Sequence, residues 1–285
     1  MMPLLLFLLL ALLAAASSFT ASPKWTTARN AHTATTTLFA DLNEHSQFER
    51  RKLFLAVGAG MTGATLMPSL MANAADGNQG PITVIGANGK TGSECVGACL
   101  SRGIDVVATS RGGVYTGSYA ASQSVRSSVC DVTMPDTVAS AVRGSRAVIF
   151  AASASKAGGT PAMVDNVGLV NVAKACIEYK VPSLVIVSSG GVSRPDSPVY
   201  KFLNVFGKIM EEKIKGEDEV RGLYGAAGID ASTCTYTVIR PGGLTEEKAR
   251  GVEYLELNQG DTKSGRIARA DVAALCVEAT MFPNL

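Results

Sequence analysis

The sequence predicts an α/β fold: one domain built on a doubly wound parallel sheet with helices on both of its faces. Two observations carry this. From Ile82 onward, short β-branched or apolar runs alternate with stretches whose apolar residues recur at helical spacing. Such alternation requires parallel strands joined by crossover helices. The first run, residues 82–85, stops at Gly86 in a turn with further glycines at Gly89 and Gly92. Cys95, Val96, Cys99 and Leu100 then take up the spacing of a helix. Strand, tight glycine turn and helix bring backbone N–H groups and the positive helix end to an anion with no side chain between. The spacing suits the pyrophosphate of a dinucleotide and predicts contacts from Gly86, Asn88, Gly89, Lys90, Thr91 and Gly92. Gly89-Lys90-Thr91 also looks like the end of a triphosphate-binding loop, but that motif needs a glycine where Val84 stands inside the strand.

Composition bounds the rest. The chain has 285 residues, 47% of them hydrophobic, and a formal net charge of +2. Near-neutral charge without a long Lys/Arg run leaves no footprint for nucleic acid. Both histidines, His32 and His45, lie in the N-terminal region that reads as removable, as does Trp25. A mature domain without histidine excludes Ser-His-Asp and Cys-His catalysis and histidine-ligated zinc, and no metal site is expected. The six cysteines form no Cys-x-x-Cys pair. Cys95 and Cys99 share a helix face, and the set reads as buried small hydrophobes or, alternatively, as containing a redox pair.

Residues 1–20 carry a leucine-rich run too short to span a bilayer comfortably, followed by small residues, as in a secretory signal. Residues 21–49 are rich in Thr, Ser and Ala, the composition of a transit peptide. Residues 50–74 open with Arg50-Arg51-Lys52, continue through a glycine-broken apolar stretch and end near Ala72-Asn73-Ala74. That pattern fits a twin-arginine export signal or, alternatively, a single membrane anchor. The order of the three resembles presequences of plastid proteins in algae with secondary plastids, which implies a plastid address and, through the third segment, the thylakoid lumen. Residues 75–285 remain as the folded domain, enough for one well-buried core.

Within that domain, residues 104–109 predict the second strand, ending at Ser110-Arg111. An acid at this strand end would take a ribose 2′-OH; a hydroxyl and a guanidinium suit a 2′-phosphate instead, so the site reads as one for NADP(H). Residues 125–132 predict the third strand, with Asp131 and Val132 at its end. Asp131 either accepts a hydrogen bond from adenine or closes a strand-end turn. Thr133-Met134-Pro135-Asp136 predicts a helix capped by the threonine hydroxyl. Residues 147–152 are a continuous apolar run, as expected of a strand buried on both faces, and Ala151, Ala152 and Ser153 leave room for a ribose. A helix over 161–179, a strand over 183–187 ending at Ser188-Ser189, one long helix over 197–223, a strand over 235–239 and a closing helix over 270–279, capped near Asp271, complete the domain. Every candidate named falls at the carboxyl end of a strand, where doubly wound sheets bind ligands.

GANGKTG, the SRG after the second strand, CDV, AVIFAAS, VIVSSGGVSRPDSP, the Lys-x-x-Gly-Glu segment at Lys213 and TVIRPGGL together resemble the atypical short-chain dehydrogenase/reductases. The likeness is to their NAD(P)H-binding subgroup of plastids and cyanobacteria, and it spans about residues 82–283. It implies a Rossmann fold and NADP(H) binding, with Pro241 and Gly242 also at the cofactor. It further implies one more short strand than the sequence carries before Leu285. Ser189, with Ser188 as the alternative, matches the family's catalytic hydroxyl, and Lys213 matches the lysine of its Tyr-x-x-x-Lys pair, where it would contact the ribose. The tyrosine position is Ile209. Tyr200 is the nearest replacement by sequence. The resemblance thus implies a reductase of a small carbonyl or quinone-like substrate. The missing tyrosine keeps open a non-catalytic NADP(H)-binding module that senses redox state or assists photosynthetic complexes at the thylakoid membrane. An epimerase is disfavoured, because the roughly 40 residues after Arg240 leave no room for its substrate domain.

Overall fold

The computed structural model describes residues 80–282 apart from 156–157, 206 and 227–233. The signal, transit and export segments expected over residues 1–74 lie outside the described residues. No helix among those described is long and apolar enough to cross a membrane.

Six parallel strands form one sheet in the order β3-β2-β1-β4-β5-β6. They are β1 (Ile82–Ile85), β2 (Val106–Ser110), β3 (Val125–Val129), β4 (Ala147–Phe150), β5 (Ser183–Val187) and β6 (Thr235–Ile239). The chain starts in the middle, winds outward through β2 and β3, then returns to β4 beside β1, pairing Ile82 with both Val106 and Ala147. This is the predicted doubly wound architecture, and the order reverses between β1 and β4, the place where such sheets open a ligand crevice. The four central strands are buried along nearly their whole length because helices cover both faces.

Alternate strand residues feed two cores. On one face Ile82, Val84, Ile149 and Val185 pack against α1 (Lys90–Ser101) and against α6 (Arg269–Met281), which closes the domain. On the other, Ile85, Val148, Phe150 and Leu184 pack against α2 (Pro135–Val142), α3 (Leu169–Glu178) and α5 (Ile209–Ala226). A buried threonine in β1 is satisfied rather than stranded: the Thr83 hydroxyl donates to Ala141 O at 3.1 Å and bonds the Ser145 hydroxyl at 2.7 Å.

Several local expectations need correction. Helix 197–223 is two helices, α4 (Pro198–Asn204) and α5, because Gly207 and Lys208 adopt positive φ (96° and 61°) and turn the chain. Asn204 Oδ1 then accepts from the amides of Met210 and Glu211, satisfying the first turn of α5. The helix expected from 161 begins as a π-helical turn, Ala162–Gly168, before α3. Met134, not Thr133, is the N-cap of α2, since the Thr133 hydroxyl turns back to Asp131 Oδ1 at 2.8 Å. Asp271 does not cap α6; its buried carboxylate accepts from the amides of Arg250 and Gly251. Strands 104–109, 125–132 and 147–152 are shorter than expected, ending or starting where the backbone leaves the ladder. A two-stranded parallel pair, β7 (Gly243–Thr245) and β8 (Arg266–Ala268), follows β6.

All six cysteines are buried and unbridged. Cys276 across the α1–α6 contact, together with burial, holds the Cys95 thiol well above its usual range, and Cys99 also neighbours Cys95. Burial pushes the thiols of Cys99 and Cys130 up to about 12, and raises that of Cys176 further. In the unfolded chain these thiols ionise near pH ~8.5. Above that pH the unfolded state releases protons that the folded state keeps, so stability is full below it and is lost as pH rises toward about 12. The unfolding free energy from urea titration is therefore expected to fall between pH 8 and pH 10, by up to about 1.4 kcal/mol per pH unit for each such thiol; a pH-independent free energy contradicts this burial.

Candidate functional site

Two glycines let three backbone segments meet at the glycine turn. Gly86 has φ of +82°, and a Cβ there would stand 2.9 Å from both N and Cα of Ala152, so β1 and the chain after β4 touch through backbone alone. A Cβ on Gly92 would lie 2.2 Å from the Gly86 carbonyl, so α1 also reaches the turn only because residue 92 has no side chain. Gly89 is the N-cap of α1, and no side chain caps that helix. Its first amides, from Lys90 and Thr91, belong to the orphan donors of a helix start. A twelve-residue helix that starts with such donors at the sheet's switch point can serve as an anion cradle.

The side chains around the turn brace it. Asn88 points away from the cradle: its amide nitrogen donates to Val114 O at 2.9 Å, and its Oδ1 accepts from Thr116 N at 2.8 Å. This ties the glycine turn to the loop after β2. Ser110 closes that loop locally, bonding both the amide and the carbonyl of Val114. Arg111 is exposed at the loop's start, and its Nη1 passes 2.5 Å from where a Cβ on Gly158 would be, over the chain that follows β4. Lys90 pairs with Glu246 at 2.5 Å, and Glu246 also accepts from Arg269.

Asp131 folds onto its own turn, accepting from the amide and hydroxyl of Thr133. That leaves its strand-end turn role visible in the geometry. Val132 is buried against Gly168. Ala151 donates its amide to Ile85 O at 2.9 Å. Pro241 takes the Gly190 amide at 2.7 Å, and Gly242 passes so near Gly265 that a Cβ would sit 2.3 Å from its carbonyl oxygen.

Two ion pairs lie beside this crevice, one helical turn apart on α5. The Lys213 ammonium stands 2.7 Å from Asp165 Oδ1, and the Asp165 side chain is fully buried. The same Oδ1 accepts from the Ser153 hydroxyl at 2.6 Å, and Oδ2 accepts from Ala154 N at 2.9 Å. Four residues on, Glu217 is equally buried; Arg240, at the end of β6, gives it two hydrogen bonds, at 2.5 and 3.1 Å. The Ser188 hydroxyl donates to the other oxygen of Glu217. Asp165, Ser188, Lys213 and Glu217 line one small cavity between the sheet and α5. Close approach of α5 depends on Gly216, where a Cβ would stand 2.6 Å from Asp165 O.

Ser189 differs from Ser188. Its hydroxyl makes only a 3.3 Å contact to the next carbonyl, Gly190 O. The loop it begins is fixed from below by Asp261, whose carboxylate accepts from Gly191 N at 2.6 Å and from both the amide and hydroxyl of Ser193. Tyr200 sits in the first turn of α4, after its cap Ser197. No hydrogen bond among the described residues links the Tyr200 hydroxyl to Ser188, Ser189 or Lys213. Among those residues, too, no group of three His, Cys, Asp or Glu side chains is arranged to hold a metal.

The residues the sequence reading left without a role are Asp165, Glu217, Arg240 and Asp261. A signal existed for two of them: Asp165 interrupts an apolar helical face between Val164 and Leu169, and Glu217 sits at i+4 from Lys213. A charge at a buried position implies a partner, though not which one.

Residues 86–283 match the sequence profile of a family described as NAD(P)H-binding. An uncharacterised chloroplastic protein of Arabidopsis thaliana is 32% identical over 210 residues, which cover 70% of this chain and 71% of that one. Sanguinarine reductase of Eschscholzia californica is 37% identical over 125 residues, 42% of this chain and 41% of the reductase. Among solved structures, the anaerobilin reductase ChuY of Escherichia coli O157:H7 superposes with a TM-score of 0.54 at 25% identity, covering 70% of this chain and 89% of its own.

The glycine geometry predicts opposite outcomes at two positions. Gly92→Ala forces a backbone clash and is expected to lower unfolding free energy by about 1–3 kcal/mol. Gly222→Ala, in α5 with nothing within 4 Å of the added methyl, is expected to raise it by up to about 1 kcal/mol. Urea unfolding of both variants checks the pair.

Proposed function

Because the chain belongs to the NAD(P)H-binding family, we propose that it is an NADPH-dependent reductase of a small carbonyl or quinone-like acceptor. The observation that carries this reading is the uncapped start of α1, held open at the sheet's switch point by Gly86 and Gly92. A Cβ at either position would run into backbone and force the turn apart, so the residues present fit a dinucleotide pyrophosphate on the amides of Lys90 and Thr91. Asn88 serves by fixing the turn to the loop after β2 rather than by touching the ligand. Arg111, exposed on that loop, is the group for a 2′-phosphate, and Ser110 sets the loop's shape. Ala151 and Ala152 leave the ribose path open beside the turn, while the backbone at Asp131 and Val132 borders the adenine end.

When bound, the reduced cofactor supplies a hydride. The chain's own part is to hold the acceptor and manage its oxygen. Of the two serines, Ser189 is the hydrogen-bond donor to that oxygen, because the Ser188 proton is already held by Glu217. Pro241 and Gly242 follow β6 beside Gly190 and bound the nicotinamide side. The similar reductases, sanguinarine reductase and anaerobilin reductase, support reduction of an organic substrate. Exposed Val199 and Phe202 on α4, near the end of β5 in the chain, offer such a substrate apolar surface. The chloroplastic Arabidopsis relative supports a plastid location; delivery to the lumen rests on residues 50–74 alone.

A second reading is favoured by one observation: Ile209 stands where the family's Tyr-x-x-x-Lys tyrosine would be, which suits a binding module without turnover. Calorimetry with NADPH and NADH, followed by NADPH oxidation in the presence of nitrobenzaldehyde or phenanthrenequinone, decides between the two. NADPH binding with turnover is expected. Arg111→Ala is expected to weaken NADPH binding by about 10- to 100-fold, the worth of a charge-assisted hydrogen bond, with NADH binding unchanged. NADPH binding without turnover of either probe favours the binding module, and absence of any dinucleotide binding overturns both readings.

A further inference from the structure

Resting on the reductase reading, we propose that Lys213 is the general acid that protonates the acceptor oxygen, and that Asp165 is the residue that positions it. The surrounding groups leave it that role. The residue four before it is Ile209, so no tyrosine stands in the Tyr-x-x-x-Lys position. The Tyr200 hydroxyl is not hydrogen-bonded to Lys213 or to either serine of the β5 end. Ser188 gives its proton to Glu217, whose other oxygen is taken by Arg240. Lys213 remains, with its ammonium at the wall shared by the ends of β4 and β5.

The geometry at Asp165 defines what the ammonium can do. Both oxygens of Asp165 are engaged: Lys213 and Ser153 share Oδ1, and Ala154 N holds Oδ2. Ser153 and Ala154 come from the chain just after β4, so the carboxylate is rigidly attached to the sheet. One ammonium hydrogen is used on Asp165, leaving two to point elsewhere. The side chain of Lys213 is 12% exposed, so it touches solvent while its partner is fully buried. A cation fixed on one side and open on the other can meet a developing oxyanion and be recharged from water. The π-helical turn that carries Asp165 is what aims it at α5, as such turns do at functional positions.

In the step, bound NADPH would supply the hydride, its nicotinamide C–H bond breaking as the new C–H bond forms at the carbonyl carbon, and the C=O π pair would move to oxygen. That oxygen takes a proton from the Lys213 ammonium: an N–H bond breaks and an O–H bond forms. The substrate gains two electrons and leaves as the alcohol, NADPH leaves as NADP⁺, and the neutral amine regains a proton from solvent. Ser189 holds the same oxygen during the transfer.

The test compares the wild type with Lys213→Ala and Asp165→Asn, measuring NADPH affinity by calorimetry and turnover at saturating NADPH with nitrobenzaldehyde or phenanthrenequinone. For Lys213→Ala, turnover is expected to fall by about 100- to 10,000-fold with NADPH affinity within about threefold, and added methylammonium is expected to restore at least part of it. Asp165→Asn is expected to lower kcat by about 100-fold, as misplacing a reacting group does, again sparing NADPH affinity. Should Lys213→Ala leave Asp165 as a buried unpaired charge that unfolds the domain, the double variant Lys213→Met/Asp165→Asn carries no such charge and takes its place. A Lys213 variant that loses NADPH affinity by tenfold or more while keeping turnover makes the lysine a ribose anchor and overturns the proposal. So does a loss that methylammonium does not touch. A wild type that binds NADPH yet reduces neither probe overturns the reductase reading as well, whereas active wild type with fully active Lys213→Ala overturns this proposal alone.

Discussion

The chain after β4 lies against Gly86 so closely that no side chain fits between them. That contact is backbone on backbone, and Gly92 repeats it one turn later where α1 leaves the glycine turn. Everything at the carboxyl edge is arranged around it. The start of α1 carries no side-chain cap, and the turn that leads into it is tight because two glycines allow it. Asn88 then carries the same constraint outward, clamping the loop that bears Arg111. The anion cradle and the charge that would read a 2′-phosphate thus form one braced unit rather than two independent loops.

On the far side of the crevice, order comes from buried charge. Asp165, Glu217, Asp261 and Asp271 are each almost entirely inside the protein, where an unpaired carboxylate would be strongly unfavourable. Each is satisfied by a different segment: α5 and the chain after β4 at Asp165, β6 and β5 ends at Glu217, the β5 loop at Asp261, and residues 250–251 at Asp271. Such pairs contribute little net stability against an apolar replacement, but they allow few alternative arrangements. They therefore fix the irregular segments that border the crevice, which the apolar cores beneath do not reach.

The layered sheet was legible in the sequence because its strands are continuous apolar runs between turn residues; β5 and β6 appear with the expected bounds. The glycine turn was legible for a similar reason, since only glycine meets its steric demand. What sequence did not disclose was set by distant partners. The break at Gly207-Lys208 hides inside a charged stretch that reads as one helix, and the turn depends on Asn204 reaching the amides of Met210 and Glu211. Thr133 and Asp271 look like helix caps until tertiary structure offers them other partners. Helical spacing puts Cys95 and Cys99 on one face, and α6 adds Cys276 as a further neighbour of Cys95. Lys213 was identified from its motif, but its bond to Asp165 joins α5 to a π-helical turn that no local pattern announced.

The most direct test of the central claim, that the glycine turn is a dinucleotide site, is a crystal structure of the protein grown with saturating NADPH. This account predicts a pyrophosphate hydrogen-bonded to the amides at the start of α1, a 2′-phosphate within reach of Arg111, and the nicotinamide between the ends of β4 and β5. A dinucleotide bound elsewhere, or none at the turn, would contradict it.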